Sequence, residues 1–175
     1  MTDQLLQPTL TGQMVHIEPL SAEHYDALFA VASDPLIWEQ HPAHDRWRPE
    51  VFRKLFDSGL ESSGALLVRD VATKEVIGSS RYYAWQPAER HVSIGYTFLA
   101  RRCWGGTYNH EMKRLMLEHA FGFVDTVWFH IGIANIRSRR AIAAIGAQLS
   151  HEVENDPARG GLSMAYYSIT RQPRL

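Results

Sequence analysis

The chain has 175 residues, of which 45% are hydrophobic and 21% charged, and its formal net charge at pH 7 is −1. This length and hydrophobic content suffice for one compact domain with a sizeable core. A nearly neutral chain has no overall attraction for nucleic acid or an anionic membrane surface, so we expect neither as a partner. No apolar run approaches membrane-spanning length, and the first residues carry no basic-then-apolar signal pattern.

The single cysteine, Cys103, excludes a disulfide within the chain and suits a reducing compartment, so we expect a cytoplasmic protein. Arginine supplies most of the positive charge, because the 18 basic residues include only three lysines. The planar guanidinium group is well suited to phosphate recognition. Composition does not separate a monomer from a homodimer, and both remain open.

The chain is predicted to have an N-terminal lead-in, residues 1–11, followed by a single domain over residues 12–171. Alternating apolar and polar residues predict a first strand at 14–19, and helical spacing predicts a helix that begins at Ser21 and ends near Asp34. A loop rich in aromatic and histidine residues follows. The remaining predicted elements of the N-terminal half are a helix from Pro49 to Leu60 and strands at 64–69, 75–85 and 91–100.

The C-terminal half alternates helices with strands. An amphipathic helix is predicted over residues 107–124 and a strand over 126–134. Asn135 is a good N-cap for a short helix, and Gly146 is suited to end it. The last predicted strands are 147–153 and 162–170. This order, built around hairpins, indicates a mixed α/β (α+β) fold.

The segment from Arg101 to Asn109 joins a predicted strand to a predicted helix. The glycine pair Gly105 and Gly106 lets the backbone approach a ligand closely, and the helix dipole adds partial positive charge there. Arg101 and Arg102 stand beside the pair. These features together predict a phosphate-binding loop, although a tight turn without a ligand would have the same glycines.

A second motif, Asn135-Ile-Arg-Ser138-Arg-Arg-Ala141 ending in Ile-Gly-Ala147, follows one helix and one strand later. With the loop, it resembles the GCN5-related N-acetyltransferase (GNAT) superfamily, in the branch of ribosomal-protein (RimJ/RimL-like) N-acetyltransferases. That superfamily's loop has Arg or Gln, two residues, Gly, one residue, then Gly or Ala. Here Arg102 and Gly105 fit, whereas Thr107 replaces the last glycine.

The resemblance implies a GNAT fold, in which six to seven strands form a central, mostly antiparallel, twisted sheet that is flanked by about four helices and splayed at the cofactor site. It also implies that acetyl-CoA is the co-substrate and that a primary amine attacks the thioester directly in a ternary complex. The expected acceptor is the α-amine of a protein or peptide. A small amine such as an antibiotic or polyamine, and a non-catalytic acyl-CoA-binding module, are the alternatives.

By resemblance, the backbone of residues 96–99 should pair with the pantetheine arm, and the N–H groups of 103–107 should bind the pyrophosphate. Arginine side chains would supply the remaining positive charge. The implied cofactor residues are Tyr96, Phe98, Leu99, Arg101, Arg102, Cys103, Trp104, Gly105, Gly106, Thr107, Asn109, Asn135, Ser138 and Arg139.

The usual catalytic acid and base of the superfamily are both absent. Ile142 stands where many relatives have the acidic tyrosine, which leaves Ser138, Tyr108 and the capping Asn135 as catalytic candidates. Ser93 stands where relatives of this branch often have a glutamate base. A water relayed through backbone carbonyls, Glu152 or His41 could replace that base.

The acceptor is expected to contact Trp38, His41, Tyr82 and Ser93. Deprotonation at pH 7 costs about 4.6 kcal/mol for a lysine amine but about 1.4 kcal/mol for an α-amine. A site without an evident carboxylate base therefore favours α-amines. His41 and His44 have no further ligands near them in sequence, so we expect no metal.

Overall fold

The computed structural model describes residues 3–171 and has, within that range, one sheet of eight strands in the order β1-β2-β3-β4-β5-β6-β8-β7. The strands are β1 (Leu10–Thr11), β2 (Val15–Pro19), β3 (Ala65–Asp70), β4 (Val76–Gln86), β5 (His91–Leu99), β6 (Thr126–Gly132), β7 (Gln148–Asp156) and β8 (Leu162–Thr170). The α-helices are α1 (Asp3–Leu6), α2 (Tyr25–Ala32), α3 (Pro49–Glu61), α4 (Thr107–Ala120) and α5 (Ile136–Ala144).

The predicted mixed α/β fold is confirmed, with one more strand than expected. The extra strand is β1, where Leu10 and Thr11 pair with β2 at the sheet edge. The predicted lead-in is therefore structured from residue 3 onward, and residues 1 and 2 lie outside the described part. Leu5 is fully buried, and its carbonyl oxygen lies 3.1 Å from Nε2 of His119. The burial of Leu5 holds the N-terminal segment against the domain. The sequence of this short segment did not predict that contact.

Helices cover both faces of the sheet and produce two hydrophobic clusters. The larger cluster packs α4 against the inner strands through Met112, Met116 and Ala120. The smaller cluster packs α2 and α3 against the opposite face through Leu28, Phe52 and Phe56. The residues named in α4 and in α3 recur every four residues, so that one apolar stripe of each helix is removed from water. No helix of residues 3–171 is long and apolar enough to cross a membrane.

The seam between β5 and β6 positions the site. These strands pair in parallel from His91 to Ser93, and within the described residues their pairing ends there. The other neighbouring strands of this sheet pair antiparallel. Beyond Ser93 the two strands diverge, which leaves the edge of β5 without a strand partner on that side. The splayed strands implied by the resemblance are therefore present.

The two ends of α5 form at the predicted residues. The side chain of Asn135 accepts a hydrogen bond from the backbone N–H of Ser138 at 3.2 Å, which caps α5. Gly146, with a φ of 93°, follows the C-terminal end of the same helix. A left-handed conformation of this kind favours glycine. The cap holds the first turn of α5 against the divergent end of β6.

Candidate active site

The divergent strands open into a cavity of about 870 Å³. Its walls come mainly from β5, β6, the glycine loop, α5 and the loop before α3. This volume is within the usual range of small-molecule sites. The predicted residues that line it are Trp38, His41, Tyr96, Phe98, Leu99, Cys103, Trp104, Gly105, Gly106, Thr107, Asn109, Asn135 and Ser138.

The glycine loop presents free backbone donors to the cavity. Gly105 and Gly106 have φ values of 101° and 116°, and the next residue begins α4. Within residues 3–171, the N–H groups from Gly105 to Asn109 have no backbone acceptor, because the first to find one is that of His110, which donates to Gly106 O at 2.7 Å. A helix N-terminus with consecutive free N–H groups suits an anion.

The free N–H groups begin two residues later than predicted, since the sequence analysis expected those of residues 103–107 to bind the pyrophosphate. The N–H of Cys103 donates to Ala100 O at 2.8 Å, and that of Trp104 donates to Arg101 O at 3.0 Å. A short 3-10 turn uses both groups, so neither is available to a phosphate. The free donors therefore begin at Gly105.

Arg137 is the arginine that the structure places beside this loop. Its guanidinium carbon lies 4.1 Å from the Trp104 ring centroid, and its Nη2 donates to Ile37 O at 2.8 Å. Stacking on tryptophan orients the charge at the cavity wall. The sequence analysis did not select Arg137, although it lies within the α5 motif.

Three residues near the loop point away from the cavity. Arg101 pairs with Asp34, and Arg102 pairs with Asp70 and Glu75. The hydroxyl of Tyr108 donates to Asp70 at 2.9 Å, and this hydrogen bond raises its pKa. Of the predicted residues, Arg101, Arg102 and Tyr108 thus bind carboxylates outside the cavity and are absent from its described lining.

Arg139 and Tyr82 also have structural partners. Arg139 binds Glu152 and the Tyr167 hydroxyl and donates to a backbone carbonyl, so both the predicted cofactor arginine and the suggested base Glu152 are engaged outside the cavity lining. The Tyr82 hydroxyl donates to Met116 O at 2.6 Å in the core beneath α4. Alternation along β4 explains this placement, because Tyr82 and its neighbour point to opposite faces of the sheet.

Ser93 is buried at the point where β5 leaves β6, and it lies opposite Tyr83 on β4. It does not line the described cavity. Trp38 does line it, yet its indole N–H donates to Ala32 O at 2.7 Å, so that its ring alone faces the ligand space. Of the four residues predicted to contact the acceptor, Trp38 and His41 line the cavity, whereas Tyr82 and Ser93 are not among its described lining residues.

A bulge in β5 shapes the middle of the cavity. The pairing of β4 with β5 shifts between Ser79 and Arg81, and Tyr96 on the facing stretch has a φ of 52°. A tyrosine in this conformation is strained, and such strain concentrates at functional sites. The bulge turns the backbone of β5 at the strand edge that β6 no longer covers.

Lys113 forms a polar cluster with Ser80 and Thr97 in the cavity wall. Its Nζ donates to Thr97 Oγ1 at 2.6 Å and to Ser80 Oγ at 3.3 Å, and the side chain is 2% exposed. No carboxylate lies within 4.0 Å of it in the described part of the chain. Burial lowers its pKa to about 7.

His41 and His130 line the cavity as neutral imidazoles. Burial, with help from Arg46, lowers the pKa of His41 to about 3, and burial with help from Arg159 lowers that of His130 to about 4. Nδ1 of His130 lies 3.0 Å from the Tyr83 hydroxyl and also accepts from Arg159. With these lowered pKa values, neither histidine is an imidazolium cation at neutral pH, and each ring keeps one N–H.

A family model described as the acetyltransferase (GNAT) domain matches residues 15–148. The chain belongs to this family. Proteins of this family transfer acetyl groups, and this GNAT domain is therefore an N-acetyltransferase. No protein of curated function matches the chain in sequence.

Solved structures share the GNAT fold at low identity. A GCN5-related N-acetyltransferase from Brucella melitensis is 22% identical, with a TM-score of 0.79 over 94% of this chain and 79% of that one. Mycobacterium smegmatis RimJ, solved with CoA-disulfide, is 15% identical, with a TM-score of 0.74 over 95% and 88%. Vibrio cholerae spermidine N-acetyltransferase, solved with CoA and spermine, is 11% identical, with a TM-score of 0.67 over 91% and 96%. At these identities the similarity shows the fold alone.

The GNAT domain thus has a cavity with anion-binding donors at the glycine loop and no acidic side chain among its described lining residues. The polar and charged lining residues that were not predicted include Arg46, Tyr83, Lys113, His130, Arg137 and Arg159. Two of them had a local signal, since Arg137 lies within the α5 motif and Lys113 is spaced by three, four and seven residues from buried Met116, Leu117 and Ala120. The others come together from separate loops and strands.

Proposed function

We propose that this GNAT domain transfers the acetyl group of acetyl-CoA to the α-amine of a protein or peptide by direct attack in a ternary complex. The observation that carries the proposal is the cavity at the split seam, with the free N–H groups of Gly105 to Asn109 at one wall. Acetyl-CoA supplies an activated thioester and a pyrophosphate that those donors fit. The single cysteine makes a cytoplasmic location the natural setting.

The chain's own residues would hold the cofactor and orient the acceptor. The uncovered edge of β5 from Ile94 to Leu99 offers backbone groups to the amides of the pantetheine arm, much as a further strand would. Backbone N–H groups near the Tyr96 bulge are candidates to stabilise the oxygen that becomes anionic during transfer. Ser138, at the capped end of α5, is the candidate donor for the departing thiolate.

The absence of a carboxylate base from the described lining favours an acceptor with a low pKa. An α-amine needs about 1.4 kcal/mol to lose its proton at pH 7, against about 4.6 kcal/mol for a lysine side chain. A polyamine would enter a cavity whose charged lining residues are cationic, which disfavours that alternative.

Two measurements test the proposal on the full chain. Calorimetry should show saturable binding of acetyl-CoA at one site, and a thiol-release assay should show turnover with peptides that have a free α-amine. Peptides with an acetylated N-terminus are the matched control. Binding of acetyl-CoA without turnover of any amine would instead support a non-catalytic acyl-CoA-binding module. No binding at millimolar acetyl-CoA would contradict both the transferase and the binding module.

Replacing Ser138 by alanine should lower kcat about 10- to 100-fold while leaving the melting temperature and the KM for acetyl-CoA nearly unchanged. The backbone N–H that Asn135 accepts is retained in the variant, so α5 keeps its cap. Ser150→Ala, on the exposed face of β7, is the control and should keep wild-type kcat. Wild-type kcat in Ser138→Ala would remove this residue from the catalytic set.

A further inference from the structure

The cavity also contains arginines that the glycine loop does not use. We define the arginine group as Arg46, Arg81 and Arg159, which surround the phenol of Tyr96. The guanidinium carbon of Arg81 lies 4.0 Å from the centroid of that ring, and that of Arg46 lies 5.9 Å from it. Arg159 reaches the same region from the loop between β7 and β8, where its charge also acts on Tyr96. Arg46 and Arg159 line the cavity, and Arg81 lies beneath Tyr96.

The arginine group has no counter-ion within 4.0 Å in the described part of the chain. Asp45 acts on Arg46 and Asp156 acts on Arg159 from beyond that distance, and Asp156 already accepts a hydrogen bond from the Tyr166 hydroxyl. Arg81 is buried, Arg46 and Arg159 are half-buried, and burial lowers the pKa of Arg46 to about 10. Guanidinium groups removed from water without a counter-ion are costly, so the cavity is suited to an anion.

The hydrogen bonds of Arg46 and Arg81 leave more donors than acceptors. Nδ1 of His41 lies 2.9 Å from the N–H of Ala43, and its Nε2 lies 3.2 Å from Nη1 of Arg46. A neutral imidazole has only one acceptor nitrogen, so one of these two donors is left unsatisfied. The Nε of Arg81 is buried and has no hydrogen-bond partner in the described structure. The other nitrogens of Arg81 donate to Leu55 O and to Ser58 on α3, so Arg81 adds positive charge beneath Tyr96. A carboxylate in the cavity would accept from Arg46 and Arg159, which line it.

We propose that the arginine group binds a carboxylate of the acceptor, so that the preferred substrate is a primary amine with a carboxylate a few bonds away. This inference rests on the proposed N-acetyltransfer and defines its acceptor by a carboxylate, which admits a free amino acid besides a peptide. A guanidinium donates two parallel hydrogen bonds to a carboxylate, which would fix the amine relative to the thioester. A lysine side chain or polyamine would instead meet like charge. The carboxylate could belong to a free amino acid or to an acidic N-terminal residue of a peptide.

The first experiment compares amines in which carboxylates are replaced by amides, two of them in the free amino acid and one in the peptide. L-aspartate is compared with its diamide, and a C-terminally amidated peptide beginning with Asp is compared with the same peptide beginning with Asn. We expect the carboxylate member of at least one pair to have a kcat/KM about tenfold higher or more, and the pair that responds identifies the source of the carboxylate. Equal values in both pairs, or a preference for spermine, would overturn the inference while leaving N-acetyltransfer intact.

The second experiment assigns the preference to the arginine group. Arg46→Met and Arg159→Met should each reduce the carboxylate preference about tenfold with the KM for acetyl-CoA unchanged, and Arg46→Lys should restore part of it. Arg137→Met is the contrast, since its partner Trp104 belongs to the glycine loop, and it should raise the KM for acetyl-CoA without changing the preference. If the Arg46 and Arg159 variants raise the KM for acetyl-CoA instead, the group serves the cofactor and the inference is wrong.

A binding measurement separates this inference from the proposed function. Calorimetry of aspartate and of the Asp-initiated peptide against the protein saturated with CoA does not require turnover. Binding that Arg46→Met weakens about tenfold supports the carboxylate site even if no amine is acetylated, a result that would contradict the proposed function alone. No binding of either compound would overturn the carboxylate site.

Discussion

Replacing Lys113 by methionine should stabilise the protein by about 4 kcal/mol more at pH 6 than at pH 10. The pKa of this buried amine is lowered to about 7, against 10.5 when it is exposed. Between these values the unfolded chain binds more protons than the folded one, so wild-type stability rises with pH over this window. Methionine of similar length does not titrate, so its advantage is largest below pH 7, where wild type must bury an ammonium ion.

Urea unfolding of both proteins at a series of pH values measures this difference. Lys54→Met is the matched control, because it makes the same replacement at a lysine that is exposed on α3 and not buried. An effect of Lys113→Met that does not vary between pH 6 and pH 10 would contradict the lowered pKa. Lys113→Met also loses the hydrogen bonds to Thr97 and Ser80. That loss shifts the free energy of unfolding by a similar amount at every pH, so it does not change the pH dependence.

Replacing Gly106 by alanine should weaken acetyl-CoA binding roughly tenfold to a hundredfold. The φ of 116° at this position is accessible to glycine and strained for any residue with a Cβ atom, at a cost of about 1 to 3 kcal/mol. No atom lies within 4 Å of an added Cβ, so the strain is conformational and not steric crowding. Relief of the strain would rotate the N–H groups that begin α4 away from the phosphate.

Gly146→Ala is the matched control for this variant. Gly146 has a φ of 93° with open space around an added Cβ, so the backbone strain is comparable, but it lies at the C-terminal end of α5. Both variants should lose similar stability in thermal unfolding, whereas calorimetry should show weakened acetyl-CoA binding for Gly106→Ala alone. Equal affinities for acetyl-CoA in the two variants would mean that the glycine loop does not bind the cofactor.

Local chemistry made most of the fold predictable. The Asn135 cap, the proline that begins α3 and the glycines after β5 and α5 each act within a few residues, so the boundaries they predict agree closely with the structure. β1 escaped prediction because two residues carry no alternation. Its existence depends on pairing with β2 and on the burial of Leu5, which are tertiary effects.

The parts of the candidate site that form continuous sequence motifs were predictable. The parts that only the tertiary fold brings together were not. The glycine loop and the α5 cap are continuous segments, and both line the cavity. Arg46, His130 and Arg159 come from separate parts of the chain, and no spacing rule brings them together. Arg102 and Tyr108 illustrate the opposite error, because they adjoin the loop in sequence but turn to Asp70.

The short pairing of β5 with β6 has a mechanical consequence. Within the described sheet, three residue pairs from His91 to Ser93 connect the strands before α4 to those after it. A ligand that contacts the uncovered edge of β5 and the first turn of α5 would therefore act as a cross-link between two parts of the chain that are distant in sequence. Occupancy of the cavity would tie the two halves of the sheet together, and the same seam that admits the substrates would become the part of the molecule most rigidified by them.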